Sequence, residues 1–339
     1  MKIVTFGEIM LRLAPNGYYR FFQDNQLEAT FGGGEANVAV SLSNYGMDAA
    51  FVTKLPTHDI GQGAINDLRG LGVDTSKIVR GGERVGIYYL EKGASQRASN
   101  VIYDRAYSAL ALAKREDFNW EEIFEDVTWF HFTGITPALG ENVAEITLDA
   151  VKKAQKMGVK VSCDLNYRKK LWSEEKAKET MISLAPYIDL LIANEEDSEK
   201  VFGITSSGTD VDGGELNHDG YLEVARKLTD TFGFETVAIT LRESITANDN
   251  KWSALLFENG QGYFSTVYDL HIVDRVGGGD SFGGGLIYAK LNGYKPQHAI
   301  EFAVAASALK HSIEGDYNRV SLDEVNNLVQ GDGTGRVQR

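Results

Sequence analysis

The sequence predicts an α/β protein: a three-layer α/β/α sandwich with a mainly parallel central sheet, together with a small β-sheet lid. Between residues 127 and 330, short β-rich runs alternate with longer amphipathic runs, which is typical of parallel strands joined by helical crossovers. Two strand-like segments, at 10–22 and 85–103, have no helices to match them. We therefore expect one domain over 1–330, a lid from about 10–30 and 85–106, and a flexible tail at 331–339.

Composition and charge exclude several classes of function. The chain has 339 residues, of which 43% are hydrophobic and 24% charged, as in ordinary soluble globular proteins. Its net charge of −14 argues against non-specific binding to nucleic acid. No apolar run reaches membrane-spanning length, and Glu8 and Arg12 interrupt the N-terminal apolar stretch, so neither a membrane partner nor a signal peptide is expected. The single cysteine, Cys163, excludes internal disulfides and fits a buried thiol in a cytoplasmic protein.

The individual elements follow from hydrophobic periodicity and from the turn residues between them. Strands are expected at 2–6, 49–55, 127–132, 159–165, 188–193 and 236–241, with a hairpin over 252–267. Helices are expected at 35–42, 60–71, 143–157, 176–184, 221–232, 281–290, 296–313 and 322–329. Residues 205–220 are rich in glycine, serine and aspartate and indicate a surface insertion. Its acids Asp210, Asp212 and Glu215 do not follow the spacing of a calcium-binding EF-hand.

The stretch 273–288 carries the clearest chemical signal. Gly277, Gly278 and Gly279 precede Asp280, and an apolar helical pattern begins at once. Glycine lets a ligand approach the backbone, and a helix that starts there points free N–H groups at a bound anion, most often phosphate. A carboxylate would repel that anion unless it takes a proton from an attacking hydroxyl. We therefore interpret the stretch as a phosphoryl-transfer site with Asp280 as the general base.

A second glycine cluster lies near the N-terminus. Gly32, Gly33 and Gly34 run directly into a helical pattern that contains Asn37 and is followed by Gly46, a natural helix terminator. Such an entry again presents backbone N–H groups to a ligand. A tight loop without a ligand is an equally good interpretation of this element alone.

Polar residues follow two neighbouring predicted strands. Asn166 and Arg168 come after one strand, and Asn194 and Asp197 come after the next. Ligands of open parallel sheets bind at the carboxyl ends of the strands. Arginine suits a carboxylate or phosphate there, and an acid at a nucleotide site would hold Mg²⁺ through water. The acids also fit the first turn of a helix.

The motifs of several other enzyme classes are absent from the chain or incomplete in it. It contains no G-x-x-x-x-G-K-[ST], no H-R-D or D-F-G and no strict G-x-G-x-x-G. Residues 279–283 match the G-x-S-x-G elbow of serine hydrolases, with Ser281 as nucleophile. That fold requires a histidine after the serine, and both candidates, His298 and His311, lie in helical patterns. A hydrolase is therefore a remote alternative.

The two glycine clusters resemble the paired signatures of the ribokinase-like (PfkB) carbohydrate kinases. The first reads G-G-G-E-A-N-V-A at 32–39, and the second reads D-R-V-G-G-G-D-S-F at 274–282. The resemblance extends from residue 2 to about 325. It implies a sugar bound under the β lid, ATP and Mg²⁺ along the sheet edge, and Asp280 as base. It leaves a requirement for a monovalent cation open.

Within this family, three segments are most similar to the 2-keto-3-deoxygluconate kinases. They read Y-Y-L-E-K-G-A-S-Q-R at 88–97, V-I-Y-D-R at 101–105 and L-N-Y-R at 165–168. The implied reaction is phosphorylation of a sugar acid at its terminal C6 hydroxyl. The acceptor carries a carboxylate, and a neutral sugar would not need two arginines, Arg105 and Arg168, beside it.

The resemblance assigns roles to individual residues. The glycines that would line the anion hole with the base Asp280 are Gly277, Gly278 and Gly279. The residues that would contact the sugar acid are Gly33, Gly34, Asn37, Tyr89, Tyr103, Arg105, Arg168 and Asp280. The residues that would contact the nucleotide are Asn166, Arg168, Asn194, Thr240, Arg242, Ser244, Gly277 and Gly279. Asp197 would reach Mg²⁺ through water.

Several positions depart from the usual pattern of the family. Arg275 stands where threonine is usual, Gly278 where alanine is usual, Asp197 where glutamate is usual, and Arg242 where glycine is frequent. These departures leave the nucleotide side open. The acceptor also stays open among 2-keto-3-deoxygluconate, its galactonate epimer, fructose and ribose, and a non-catalytic sugar-acid sensor is a further alternative. Exposed lid strands suggest a homo-oligomer, a dimer or higher.

Overall fold

The computed structural model describes residues 1–206, 218–331 and 333. Its strands, in chain order, are β1 (Lys2–Phe6), β2 (Met10–Ala14), β3 (Glu28–Gly32), β4 (Asp48–Val52), β5 (Lys54–Leu55), β6 (Val79–Arg80), β7 (Gly86–Glu91), β8 (Asn100–Asp104), β9 (Val127–Thr133), β10 (Lys160–Asp164), β11 (Leu190–Asn194), β12 (Thr236–Ser244), β13 (Asp249–Glu258), β14 (Gln261–Phe264) and β15 (Tyr268–His271). Its helices are α1 (Gly34–Asn44), α2 (Asp59–Gly70), α3 (Trp120–Ile123), α4 (Glu141–Met157), α5 (Glu174–Leu184), α6 (Glu195–Asp197), α7 (His218–Phe232), α8 (Gly278–Leu291), α9 (Pro296–Lys310) and α10 (Leu322–Val329).

A nine-stranded sheet forms the centre of this part of the chain. Its order is β14-β13-β12-β11-β10-β9-β1-β4, and β15 also pairs with β13. The strands from β4 across to β12 run parallel, whereas β13 is antiparallel to β12, β14 and β15. All parallel strands therefore direct their carboxyl ends to one edge, where ligands bind in such sheets.

Two hydrophobic cores cover the two faces of the sheet. One core packs α4, α5 and α7 against one face and contains Phe130 and Val151. The other packs α1, α2, α8 and α9 against the opposite face and contains Val38 and Leu286. Burial of both faces accounts for the nearly continuous apolar character of the parallel strands. The predicted three-layer α/β/α architecture is confirmed.

The lid is a separate four-stranded sheet in the order β3-β2-β7-β8. Because side chains alternate along a strand, its inner face carries a small apolar cluster around Met10, Tyr88 and Leu90. The opposite face carries Leu13 and Tyr89, which are partly exposed. Both faces of the lid therefore carry apolar side chains, and the inner one faces the carboxyl ends of the parallel strands.

Several predicted boundaries change in the structure. The segment 10–22 is a strand only as far as Ala14, because Pro15 and a series of turns follow it. The predicted strand 49–55 divides at Thr53, since β5 leaves the main sheet and pairs with β6. Strands β3 and β15 were not predicted. The hairpin turns at Asn259-Gly260, with φ values of 52° and 75°.

Parts of two predicted segments lie outside the described residues. They are most of the insertion at 205–220, including Asp210, Asp212 and Glu215, and most of the tail at 331–339. Across the described ranges, no helix is both long enough and apolar enough to cross a membrane.

Candidate active site

A cavity of about 510 Å³ lies between the lid and the carboxyl ends of the parallel strands. The lid contributes Met10, Tyr88 and Tyr103, and the strand ends contribute Asp164 and Asn194. Both glycine clusters line it, and they lie next to each other, since Gly34 faces Asp280. Segments more than 200 residues apart therefore meet at the position that the parallel topology favours.

The second glycine cluster forms the N-terminus of α8. Gly277 is its N-cap, with φ 83°, and a side chain there would collide with the carbonyl oxygen of Asp316. The first helical hydrogen bond runs from the Ser281 N–H to the Gly277 carbonyl at 2.9 Å. The amides of Gly279 and Asp280 thus have no acceptor within the helix. They are available to an anion that faces the positive end of the helix dipole.

The three glycines do not contribute equally. Gly277 and Gly279 line the cavity. Gly278 faces away from it: its amide donates to the Arg275 carbonyl at 3.3 Å, and the His311 ring covers its α-carbon. The predicted direct role of Gly278 in the anion hole is therefore corrected to support of the loop, because its amide already has the Arg275 carbonyl as acceptor.

The carboxylate of Asp280 faces the cavity and has one strong partner. The Asn37 side-chain amide donates to its Oδ2 at 2.7 Å, while Asn37 Oδ1 accepts the Gly33 N–H at 3.3 Å. Asp280 is half-exposed to the cavity, but protein surrounds that cavity on most sides. Desolvation therefore raises the pKa of Asp280 to about 7, and Asp316 and Glu35 add to this, whereas the Asn37 hydrogen bond opposes it.

The first glycine cluster is fixed by the buried carboxyl group of Glu35. Glu35 accepts hydrogen bonds from the Thr133 amide at 2.9 Å, the Thr133 hydroxyl at 2.8 Å and the Thr136 hydroxyl at 2.5 Å. These bonds fasten the first turn of α1 to the end of β9. Gly33 lies so close to the Glu8 backbone that a side chain there would collide with it, and Gly34 faces Asp280.

The expected sugar-side arginines differ in their surroundings. Arg105 is buried, and Glu8 engages it at Nε (2.8 Å) and Nη2 (2.5 Å). The guanidinium also lies 5.6 Å from the centre of the Tyr103 ring. Arg168 is exposed to the cavity and donates only to the Tyr167 carbonyl, at 3.1 Å, among its contacts within the described residues. Arg168 therefore presents to a ligand a charge that makes no direct ion pair within the described residues, although it lies near the carboxylates of Asp164, Asp197 and Asp280. Arg105, in contrast, is held by Glu8.

Tyr89 does not reach the cavity. It lies on the outer face of β7 with its ring 6.5 Å from that of Phe21, and its neighbour Tyr88 lines the cavity instead. The Tyr88 hydroxyl donates to Asp316 at 2.5 Å. The prediction placed the wrong tyrosine inside, because the Tyr-Tyr pair does not reveal which of the two alternating faces is the inner one.

The expected nucleotide residues lie at the ends of β10, β11 and β12. Asn166, Asn194 and Thr240 line the cavity. Asn166 has a φ of 39°, and its backbone amide donates a hydrogen bond to Asp164 Oδ1 at 3.1 Å. Asparagine adopts this left-handed geometry more readily than most residues other than glycine. Asn194 caps α6 through its oxygen, which leaves its NH₂ group directed to solvent or ligand.

Ser244 is the exception on this side. Its hydroxyl donates to Asn250 Oδ1 at 3.1 Å, across the β12–β13 pair, and it is not among the cavity residues. It is the last residue of β12, and its side chain is engaged by the neighbouring strand, whereas Thr240 and Arg242 of the same strand line the cavity. The expected nucleotide contact from Ser244 is therefore not supported by its position.

Two departures from the family pattern come together in space. Arg242 and Arg275 both line the cavity, and Arg275 donates to the Ala247 carbonyl at 3.3 Å and to Asn250 Oδ1 at 3.2 Å. Burial lowers the pKa of Arg275, and the positive charge of Arg242 lowers it further. Two cations held near each other form a natural site for an anion such as a polyphosphate.

Two carboxylates line the cavity near Arg168. Asp197 is buried, and its carboxylate accepts hydrogen bonds from the backbone amides of Tyr167 at 3.2 Å and Asn194 at 3.4 Å. Burial raises the pKa of Asp164 well above its usual range, and the charges of Asp197 and Asp280 raise it further. Mutually repelling carboxylates at a cavity wall fit a divalent cation nearby. No group of three or more metal-ligating side chains exists in the described residues, so these acids suit Mg²⁺ that is held mainly by water and phosphate oxygens.

The geometry argues against a serine hydrolase. Ser281 is fully buried, and its hydroxyl donates to the Ala306 carbonyl at 3.1 Å. His311 uses Nδ1 to donate to the Ser307 carbonyl at 2.7 Å, and burial lowers its pKa to about 4. The thiol of Cys163 is buried as expected, and burial raises its pKa well above the usual range. None of these groups is available as a nucleophile.

The site as a whole defines a class of enzyme. A helix N-terminus, a carboxylate of raised pKa beside it and cationic side chains on both sides form the site of a phosphotransferase with an alcohol acceptor. The model of the pfkB family carbohydrate kinases matches residues 1–321. The chain belongs to this family.

Individual relatives agree with the family assignment. The chain is similar to the crystal structure of 2-dehydro-3-deoxygluconokinase (2-keto-3-deoxygluconate kinase) from Thermotoga maritima, with 54% identity, a TM-score of 0.94 and 98% of each chain covered. It is 35% identical to the 2-dehydro-3-deoxygalactonokinase of Haloferax volcanii over 98% of both chains. A putative ribokinase II from E. coli, at 19% identity and a TM-score of 0.82, covers 97% of this chain and 99% of that one. It shows that the predicted ribokinase-like fold is correct.

Proposed function

We propose that the protein transfers the γ-phosphoryl group of ATP to the terminal C6 hydroxyl of 2-keto-3-deoxygluconate. One observation carries the proposal: Asp280, the free amides of α8 and the Arg168 guanidinium all face the same cavity. A reduced thiol, Cys163, and the use of ATP support a cytoplasmic location.

Asp280 and the helix amides divide the chemistry between them. The sugar hydroxyl lies within reach of Asp280, which accepts its proton as the new P–O bond forms. The amides of Gly279 and Asp280 and the dipole of α8 stabilise the charge that develops on the phosphoryl oxygens. Mg²⁺, when bound near Asp164 and Asp197, neutralises phosphate charge. Asn37 holds the carboxylate of Asp280 in position throughout.

The charges on the sugar side support an acidic acceptor. Arg168 faces the cavity without a direct carboxylate ion pair among the described residues, whereas Glu8 pairs with Arg105. A substrate carboxylate would accept hydrogen bonds from the Arg168 guanidinium directly. The relatives from Thermotoga maritima and Haloferax volcanii are named as kinases of 2-dehydro-3-deoxy sugar acids, which agrees with an acidic acceptor.

A substrate comparison tests the proposal. We expect purified enzyme to phosphorylate 2-keto-3-deoxygluconate with a much higher kcat/KM than fructose or ribose, with ADP measured directly. Arg168→Gln should raise KM for the sugar acid about tenfold to hundredfold, since a hydrogen bond to a charged group contributes about 1.5–3 kcal/mol. Lys169→Gln, the exposed neighbour outside the cavity, is the matched control. A preference for fructose or ribose would refute the sugar-acid assignment.

The galactonate epimer is the second candidate. The relative in Haloferax volcanii is a 2-dehydro-3-deoxygalactonokinase, and the two epimers carry the same carboxylate and terminal hydroxyl. The same assay with both epimers decides between them through the ratio of their kcat/KM values. Detectable turnover of either one excludes a non-catalytic sensor.

The lid supports the proposal of a homo-oligomer. Its outer face places Leu13, Tyr89 and Ile102 in one cross-strand row, and Ile102 is 49% exposed on the edge strand β8. An unpaired edge and an apolar face favour coverage by a second copy. Ile102→Lys should shift the enzyme to monomers in sedimentation velocity, whereas Met157→Lys, at an exposed position on α4, should not. An unchanged oligomer, or a wild type that sediments as a monomer, contradicts the proposal.

A further inference from the structure

A buried lysine supports the glycine loop from behind. Lys310 is the last residue of α9 and is completely buried. Its ammonium donates to three backbone carbonyl oxygens, those of Gly315 at 2.7 Å, Asp274 at 3.3 Å and Ile313 at 3.4 Å. An ammonium group has three donors, so the three carbonyls match its full capacity.

These carbonyls belong to two segments that flank the anion site. Asp274 begins the glycine loop, whereas Ile313 and Gly315 lie in the turn after α9. The Lys310 side chain also packs against Gly277, the N-cap of α8. Lys310 therefore joins the start of the loop to the turn that supports its cap, two residues before the first amide that would face the phosphoryl group.

The charges around Lys310 explain why a cation is required here. Asp274 and Asp316 are buried, and Arg12 pairs with both, at 2.5 Å and 2.8 Å. Two carboxylates and two cations balance this cluster. Burial lowers the pKa of Lys310, but the charges of Asp274 and Asp316 oppose that effect. Without the ammonium, one negative charge would remain uncompensated directly behind the site that must receive an anion.

A cage of backbone carbonyl oxygens is also the ligand set that a desolvated monovalent cation such as K⁺ prefers. We infer that the Lys310 ammonium is a built-in monovalent cation, which positions the anion hole of α8 and makes the enzyme independent of free potassium. The inference rests on the proposed kinase function. Lys310 does not touch the reacting atoms, so it is a positioning residue.

The first test uses the unmodified enzyme. Wild-type kcat should be the same in potassium, sodium and tetramethylammonium chloride. ADP is measured by chromatography, so that no coupling enzyme with its own response to salt is present. The third cation is too large for any carbonyl cage. Strong activation of the wild type by K⁺ over Na⁺ would overturn the inference, because it would mean that the cation site is still empty.

The second test opens the cage. Lys310→Ala removes the ammonium and leaves its space, and kcat should fall about 10²- to 10³-fold, as for loss of an anion-hole donor. Added K⁺ or methylammonium should restore much of this loss, and KM for the sugar acid should change little. Lys310→Met fills the space and should not be rescued. A role in stability alone would leave kcat independent of the added cation.

A control and a substrate-free measurement complete the design. Lys290, near the other end of α8, pairs with Glu258 rather than with a carbonyl cage, and Lys290→Ala should show no cation dependence. The melting temperature of Lys310→Ala should rise with K⁺ but not with tetramethylammonium, even if no sugar acid proves to be a substrate. Full kcat of Lys310→Ala without added cation, or a melting temperature indifferent to K⁺, contradicts the inference. If this variant does not fold, the wild-type comparison alone decides.

Discussion

At the scale of single residues, the environment of Asp280 sets the pKa of the proposed general base. Its carboxylate lies in a cavity with limited hydration, between the acidic groups of Glu35 and Asp316 and the single hydrogen bond from Asn37. Desolvation dominates and raises its pKa to about 7. A base of that strength holds a proton more tightly than an ordinary aspartate, which suits abstraction of a proton from an alcohol near neutral pH.

The acid limb of the pH profile should report this pKa. As the proposed base, Asp280 must be ionised to accept a proton, so kcat/KM should fall about tenfold per pH unit below about pH 7. Asn37→Ala removes a hydrogen bond that favours the ionised form, so the limb should move to higher pH. Steady-state kinetics over the pH range of stable enzyme measures both. A limb near the ordinary pKa of aspartate would remove the physical basis of the assignment.

The same pKa predicts a pH-dependent stability. The folded state binds the Asp280 proton more tightly than the unfolded state, with a pKa raised from 3.8 to about 7. Wild-type stability should therefore fall as pH rises through this window, and the penalty should persist above it. Asp280→Asn cannot ionise, and it should also lower kcat by about 10² to 10⁴.

Thermal unfolding of both proteins tests this linkage. The melting temperature of Asp280→Asn should exceed that of the wild type by more at about pH 8 than at about pH 5. A difference in melting temperature that stays constant with pH would contradict the raised pKa, because it would show that water in the cavity stabilises the ionised carboxylate of Asp280.

At the scale of elements, the C-terminal end of α9 holds the N-terminal end of α8. Ser307 donates to the Gly278 carbonyl at 2.7 Å, Lys310 reaches Asp274, and the His311 carbonyl accepts the Val273 amide at 2.8 Å. One turn of α9 thus fixes the whole loop before its ligand arrives. Preorganisation of this kind is the principal means by which anion holes lower a barrier.

Local patterns account for what could be predicted of the site. The glycine-to-helix junctions and the polar residues at strand ends are short runs of consecutive residues, so the sequence alone reveals them. Asp280, Asn166 and Asn194, which were predicted from such runs, all line the cavity. The inner face of the lid could not be predicted in the same way. The sequence does not show which face of β7 is turned toward the main sheet, and Tyr88 and Tyr89 are chemically equivalent until that is known.

The Arg242–Arg275 pair is an element-scale feature of the nucleotide side. Arg275→Thr introduces the residue usual in the family and removes one of two cations that repel each other. If both contact phosphate oxygens, KM for ATP should rise about tenfold to hundredfold, while KM for the sugar acid stays the same. Arg115→Thr, at an exposed ion pair with Asp149, is the control. An equal rise in both KM values would indicate a general structural defect.

At the scale of the whole molecule, a buried charge cluster connects the lid to the catalytic loop. Arg12 lies on β2 of the lid, Asp274 begins the glycine loop, and Asp316 follows α9. Arg12 and Asp316 are 304 positions apart in sequence, and no local pattern pairs them. The interruption of an apolar strand by Arg12 was the only sign of its role. The sequence therefore predicted the layers and the glycine loops, but not the ion pairs that fasten the lid to them.

Removal of Arg12 should consequently affect the entire fold. Arg12→Met keeps the length of the side chain but removes the cation that pairs directly with both Asp274 and Asp316, and leaves Lys310 nearby. An unpaired buried charge costs about 3–5 kcal/mol, so the free energy of unfolding in urea should fall by about that amount. Arg84→Met, which breaks an exposed ion pair with Asp104, should change it by about 0–1 kcal/mol. Adding Asp316→Asn to Arg12→Met should recover part of the lost stability, because it removes the excess negative charge. Equal losses for Arg12→Met and Arg84→Met would show that the buried cluster contributes no more than a surface ion pair.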